Sequence, residues 1–127
     1  MMVAGLGCRR DASADEILVA MRRAVDAAGV TLAGIDAVAT ADFKAGEAGV
    51  RSAAQTLGVP LVVCPRADLD RVGDRTITRS EMVAAAVGLP SVAEAAALVA
   101  AGRNARLLGP RVATATATCA LAIGDGP

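Results

Sequence analysis

Three Ser/Thr-x-x-Glu boxes divide this chain, at Ser13-x-x-Glu16, Thr78-x-x-Glu81 and Ser91-x-x-Glu94. In each, a hydroxyl and a carboxylate three residues apart can satisfy the free N–H groups at a helix start. Apolar residues at helical spacing follow every box, and a glycine closes every run. Ile17, Met21, Ala24 and Ala28 precede Gly29; Met82, Val83, Ala86 and Val87 precede Gly88; Val92, Ala95, Leu98 and Val99 precede Gly102. Val50, Ala53, Ala54 and Leu57 predict a further helix, ended by Gly58 and Pro60.

Short apolar runs lie between the helices, at residues 2–6, 36–41, 60–64, 105–108 and 112–123. The last alternates, with Thr114, Thr116 and Thr118 on one face and Ala115, Ala117, Cys119 and Leu121 on the other, and reads as one strand. The turn at Gly109-Pro110 would pair it with the strand before it. Residues 65–77 are polar and predict a loop with a short helical turn. Strands separated by helices imply crossovers. The expected fold is α/β: three α/β/α layers, a mostly parallel sheet of about five strands, and four main helices. Residues 1–123 read as one domain and 124–127 as a loose tail.

Composition removes several functions. The 13 basic and 13 acidic residues cancel, and Phe43 is the only aromatic. A nucleic-acid binder would show a basic excess or aromatic stacking platforms. Cys8, Cys64 and Cys119 are an odd, widely spaced set and there is no His, so neither a disulfide framework nor a zinc site is expected. The residues require no metal or cofactor. They suit a reducing, cytoplasmic compartment. No apolar run reaches the roughly 20 residues that a membrane span needs.

In a parallel sheet, ligands meet the carboxyl ends of the strands. Residues 5–10, residues 40–47 and the loop after Cys64 would gather there. Gly5 and Gly7 could let backbone approach a ligand, while Arg9 and Arg10 could hold a carboxylate; a tight turn with solvated arginines is the plain alternative. Cys8 is a further candidate binding residue; it could be a nucleophile if Arg9 and a helix N-terminus stabilised its thiolate, but no His is available to pair with it, and a half-buried structural thiol is the plain alternative. Cys64 and Cys119 read as small core residues.

In the next segment, Thr40, Phe43 and Lys44 are candidate binding residues, and Asp42, Glu47 and Lys44 are candidate catalytic ones. Lys44 is the only lysine among thirteen cations and adjoins the only aromatic. Carboxylates near a helix start are also common caps. Arg111 is a third binding candidate, provided that it points into the same cleft. The helix starts at Ser13, Thr78 and Ser91 add anion-binding N–H groups.

Three ordered motifs carry a family resemblance: Gly5-Leu6-Gly7-Cys8-Arg9-Arg10, Ala39-Thr40-Ala41-Asp42-Phe43-Lys44 with Glu47, and Gly88-Leu89-Pro90-Ser91-Val92-Ala93-Glu94-Ala95-Ala96-Ala97-Leu98. Together they resemble the cobalamin-biosynthesis family of CobE and the C-terminal domain of CbiG. The resemblance implies a part in building the corrin ring, with a corrin or precorrin intermediate as ligand. CbiG is a hydrolase that opens the ring lactone of cobalt-precorrin-5A and releases acetaldehyde, and this chain is similar to its C-terminal part only. Three readings follow: a binder of a carboxylate-fringed intermediate, a lactone hydrolase, or a module that docks on other enzymes of the pathway. A homodimer is compatible with each.

Overall fold

The computed structural model describes residues 1–78 and 91–126. Its strands are β1 (Met2–Cys8), β2 (Ala37–Ala41), β3 (Leu61–Cys64), β4 (Arg106–Leu107), β5 (Val112–Ala113) and β6 (Ala117–Ile123). Its α-helices, among the described residues, are α1 (Ala14–Ala28), α2 (Ala48–Leu57), α3 (Arg66–Arg71) and α4 (Val92–Ala101). The helix expected after Thr78 falls almost wholly outside the described residues.

Local chemistry sets the helix ends. Ser13 accepts from the Glu16 N–H and the Glu16 carboxylate returns to the Ser13 N–H, a complete capping box. Gly29 and Gly58 close α1 and α2 in the left-handed conformation, at φ of 72° and 70°. Ile17, Leu18, Met21 and Val25 line the buried face of α1. Each such side chain contributes about 1.5–3 kcal/mol when taken from water. α4 is different: from Ala93 to Leu98 every residue is buried, so it is an interior helix rather than a one-sided one.

The sheet runs β3-β2-β1-β6-β4, with β5 also on β6. β3, β2 and β1 are parallel; β6 is antiparallel to β1, β4 and β5. Among the described residues the sheet is therefore six-stranded, and only its first half is parallel. The reason is the length of the last connections. They hold no helix, and a chain that turns back within a few residues can only pair antiparallel.

The stretch 112–123 is two strands rather than one. The Thr114 hydroxyl accepts from the N–H groups of Thr116 and Ala117, and the Thr114 N–H donates to the Ala117 carbonyl at 2.8 Å. A threonine side chain that serves its own backbone in this way makes a turn. β4 and β5 lie along the same edge of β6, separated by a bulge at residues 109–111. The turn at Gly109-Pro110 thus joins two pieces of one edge and is not a hairpin.

Two apolar clusters flank the sheet. α1 and α2 cover one face, with Leu6, Ile17, Met21, Val38 and Leu121. α3 and α4 cover the other, with Val3, Ala39, Cys64, Leu69 and Leu98. The three-layer arrangement holds. Gly5 explains how α4 lies so close. A Cβ there would stand 2.0 Å from the Ala93 carbonyl oxygen and 2.7 Å from the Ala97 nitrogen.

Residues 124–126, expected as a loose tail, are tied down. The Gly124 N–H donates to the Met1 carbonyl at 3.0 Å, Asp125 to Arg103 at 2.8 Å and Gly126 to Ala101 at 2.8 Å. Asn104 adds a 2.7 Å bond to the Asp125 carboxylate. Backbone groups that the short sequence pattern left unassigned find their partners here.

Candidate functional site at the strand carboxyl edge

β1, β2 and β3 end side by side at Cys8, Ala41 and Cys64. α1 and α2 begin at that edge, each entered by the loop that leaves a strand. α4 also starts there: its end at Ala101 packs on Gly124, at the opposite edge, while Ala93 and Ala97 lie against Gly5. The topology thus gathers the segments that the sequence singles out.

The first loop carries Arg9 and Arg10, both exposed. Its ends are pinned: the Arg9 N–H donates to the Thr116 carbonyl at 2.8 Å and the Ala12 N–H to the Arg9 carbonyl at 3.2 Å. Asp11 takes φ of 63°, a left-handed conformation that Asp tolerates better than most residues. Its N–H donates to Glu47 Oε2 at 3.0 Å. Gly49 lets the first turn of α2 sit on this loop, since a Cβ there would meet the Ala12 carbonyl oxygen at 2.1 Å.

The second segment leaves β2 as a 3-10 turn, Asp42–Lys44. Asp42 and Phe43 are exposed, Phe43 by 44%, and Lys44 and Glu47 are half-buried. Lys44 and Glu47 both act on Cys8. Burial pushes the Cys8 thiol up from its ordinary value; the Lys44 ammonium opposes this and the Glu47 carboxylate reinforces it. Asp42 instead acts on Cys64, whose thiol is pushed up to about 11 by burial first and by Asp42 second. The two carboxylates considered as an acid–base pair thus bear on different thiols.

Other candidates have visible structural tasks. Thr40 is fully buried, and its hydroxyl donates to the Leu6 carbonyl at 2.9 Å, tying β2 to β1. The space beside Gly5 is filled by α4, and that beside Gly7 by the Thr118 hydroxyl, 2.7 Å from where a Cβ would be. Neither glycine leaves that space for a ligand. Arg111 does not join the others. It sits in the 109–111 bulge, and β6 and β1 separate its edge strand from β2. It lines a separate cleft of about 270 Å³ between α1 and β5, floored by Cys119 and Leu121.

Three cations, Arg9, Arg10 and Lys44, share the strand edge with three acids, Asp11, Asp42 and Glu47. Arg9, Arg10 and Lys44 form no ion pair among the described residues, where the pairs are Arg66–Asp70 and Arg71–Asp68. The N-terminus of α2 has no side-chain cap, because Glu47 turns to Asp11. Its N–H groups add positive potential. No group of His, Cys, Asp and Glu among the described residues is arranged to hold a metal ion.

Two residues escaped the sequence reading. Asp11 carried no pattern. The Ser91-x-x-Glu94 pattern predicts that Glu94 returns to its own helix start as half of a capping box. Ser91 does accept from the Glu94 N–H, at 3.4 Å, but the Glu94 carboxylate goes elsewhere. It accepts from the N–H groups of Ile77, Thr78 and Arg111 at 2.7, 2.8 and 2.8 Å, and from the Thr78 hydroxyl at 2.7 Å. One signal existed: Glu94 is the only charged residue between Ser91 and Gly102.

The family model described as cobalamin synthesis G C-terminus matches residues 2–122. The chain belongs to this family. It is 40% identical over 121 residues to Protein CobE of Sinorhizobium sp, covering 95% of this chain and 79% of that one. Among solved structures it resembles CobE, a protein from the cobalamin (vitamin B12) biosynthetic pathway. The TM-score is 0.93 at 35% identity, over 100% of this chain and 92% of that one. It also resembles the cobalamin biosynthesis protein chiG of Agrobacterium tumefaciens str. C58, with a TM-score of 0.78 at 39% identity over 98% and 99% of the two chains. As a member of the cobalamin synthesis G C-terminus family, the chain is a cobalamin biosynthesis protein. No helix among the described residues is long and apolar enough to cross a membrane.

Proposed function

We propose that the chain binds a carboxylate-rich corrin or precorrin intermediate at the strand carboxyl edge. One observation carries this reading: Arg9, Arg10 and Lys44, none paired with an acid among the described residues, stand at one edge with the exposed Phe43. A corrin precursor is a flat apolar macrocycle fringed with acetate and propionate groups. Cations meet the fringe, and Phe43 meets the ring face. The absence of His, and a Cys8 thiol held in its neutral form, favour binding over catalysis. The reading keeps the protein in the cytoplasm, where three unpaired thiols stay reduced.

Titration with hydrogenobyrinic acid tests it. A saturable change in the ligand spectrum at micromolar protein is expected, and no change would refute it. Lys44→Ala should weaken binding about tenfold or more, the cost of one charge-assisted hydrogen bond. Two other outcomes point elsewhere. Acetaldehyde release from a precorrin-5A lactone would make the chain a hydrolase, with Asp42 or Glu47 as base and Lys44 as electrophilic stabiliser; wild-type rates in the Asp42→Ala, Glu47→Ala double variant would remove that assignment. Co-purification with a pathway methyltransferase, and no ligand binding alone, would make it a docking module.

A further inference from the structure

We propose that Glu47 is a positioning residue: it clamps residues 9–11 to the start of α2, so that Arg9, Arg10 and Lys44 present one rim to the ligand. This rests on the binding reading above. The geometry is unusual for its place. Glu47 occupies the N-cap of α2, where an acidic side chain ordinarily accepts from the first-turn N–H groups. It caps nothing there and gives Oε2 to the Asp11 N–H instead.

The loop needs that contact at one point. Arg9 is anchored to Thr116, and Ala12 lies against the backbone of α2 at Gly49. Between these anchors, Asp11 adopts its left-handed conformation inside the turn that the Ala12 N–H closes on the Arg9 carbonyl. The bond to Glu47 adds a second hold on that turn, from outside it. Glu47 also belongs to the Lys44 turn, since its N–H donates to the Lys44 carbonyl at 3.1 Å. One residue thus links the arginine loop to the lysine turn.

Charge separates this role from that of a base or a ligand contact. A carboxylate beside a polyanionic ligand opposes binding, whereas a hydrogen-bond acceptor at the same place does not. Glu47→Gln keeps an acceptor for Asp11 and removes the charge. Glu47→Ala removes both.

The test compares the full-length wild type, Glu47→Gln and Glu47→Ala in two ways. Amide hydrogen exchange at Asp11, followed by NMR, needs no ligand. The dissociation constant for hydrogenobyrinic acid follows from spectral titration. Exchange at β1 amides reports whether the fold is intact. With β1 unchanged, the Asp11 amide should exchange about tenfold faster in Glu47→Ala than in wild type, and at the wild-type rate in Glu47→Gln. The dissociation constant should rise about fivefold or more in Glu47→Ala and stay level or fall in Glu47→Gln. Equal Asp11 exchange in all three proteins would overturn the clamp, as would a Glu47→Gln protein that binds as poorly as Glu47→Ala. If the wild type binds no tetrapyrrole, the binding reading fails by itself, and the exchange rates still decide whether the clamp exists.

Discussion

The Glu94 carboxylate accepts the Arg111 backbone N–H at 2.8 Å, joining the first turn of α4 to the bulge in the edge strand. Glu94 is fully buried, and residues 77 and 78 supply three more donors. Four hydrogen bonds offset the cost of burying the group; an unsatisfied carboxylate could not remain there. Arg111 thus matters through its backbone, whichever way its side chain is used.

Replacing Glu94 should be costly. Glu94→Ala leaves the partly buried donors at residues 77, 78 and 111 without their acceptor, each worth about 1–3 kcal/mol where water cannot reach it. We expect at least about 3 kcal/mol of destabilisation in urea unfolding. Glu94→Gln should lose less, because its carbonyl still serves two donors while its NH₂ opposes the others. A loss below about 1 kcal/mol in Glu94→Ala would mean that water replaces the carboxylate.

Gly5→Ala should destabilise the fold by about 1–3 kcal/mol or more, because the new methyl group meets the backbone of α4. Gly46→Ala, with open space around the Cβ position and no positive φ, should change stability by less than about 1 kcal/mol. Thermal melts of the two variants make the comparison. Similar melting temperatures would contradict the close approach of α4 to β1.

Thr40→Val keeps the shape and removes the hydroxyl that holds Leu6. Stability should fall by about 1 kcal/mol, with ligand affinity unchanged. An affinity loss at full stability would show that Thr40 reaches the ligand after all.

The thiols should differ in reactivity. Cys8 is partly exposed, while Cys64 and Cys119 are buried, so a thiol reagent should modify Cys8 first in the folded protein. Its rate should rise only at pH values above those for a free cysteine. Lys44→Met should slow modification at a given pH and Glu47→Gln should speed it, since the ammonium lowers the thiol's value and the carboxylate raises it. Changes in the opposite directions would mean that neither group faces Cys8.

Alkali should unfold the protein partly through its buried thiols. Burial raises Cys64 to about 11 and Cys119 to about 12, from 9.0. Raised values favour the protonated thiol in the folded state. Their contribution is therefore complete below about pH 9 and is lost as pH climbs toward 11 and 12, by about 1.4 kcal/mol per pH unit for each thiol. Cys119→Ala should flatten that part of the stability curve measured by denaturant titration from pH 8 to 11. An equally steep decline in that variant would assign the effect to other groups.

The sequence alone determined whatever rests on short-range chemistry. The Ser13 box, the left-handed glycines after α1 and α2, and the apolar runs of β1 to β3 are local features, legible because cap and period act within a few residues. The family motifs also marked the strand ends that carry Arg9, Arg10 and Lys44. Only the tertiary structure decided the rest. Whether a run of alternating threonines is a strand or a turn depends on what lies opposite, and Thr114 chose its own backbone. Whether a glycine meets a ligand or a helix depends on what packs there, and α4 claims Gly5. Glu47 and Glu94 occupy similar places at helix starts, yet one reaches Asp11 and the other Arg111. A carboxylate's partner is set by distances across the fold, and nothing within four residues of it encodes them.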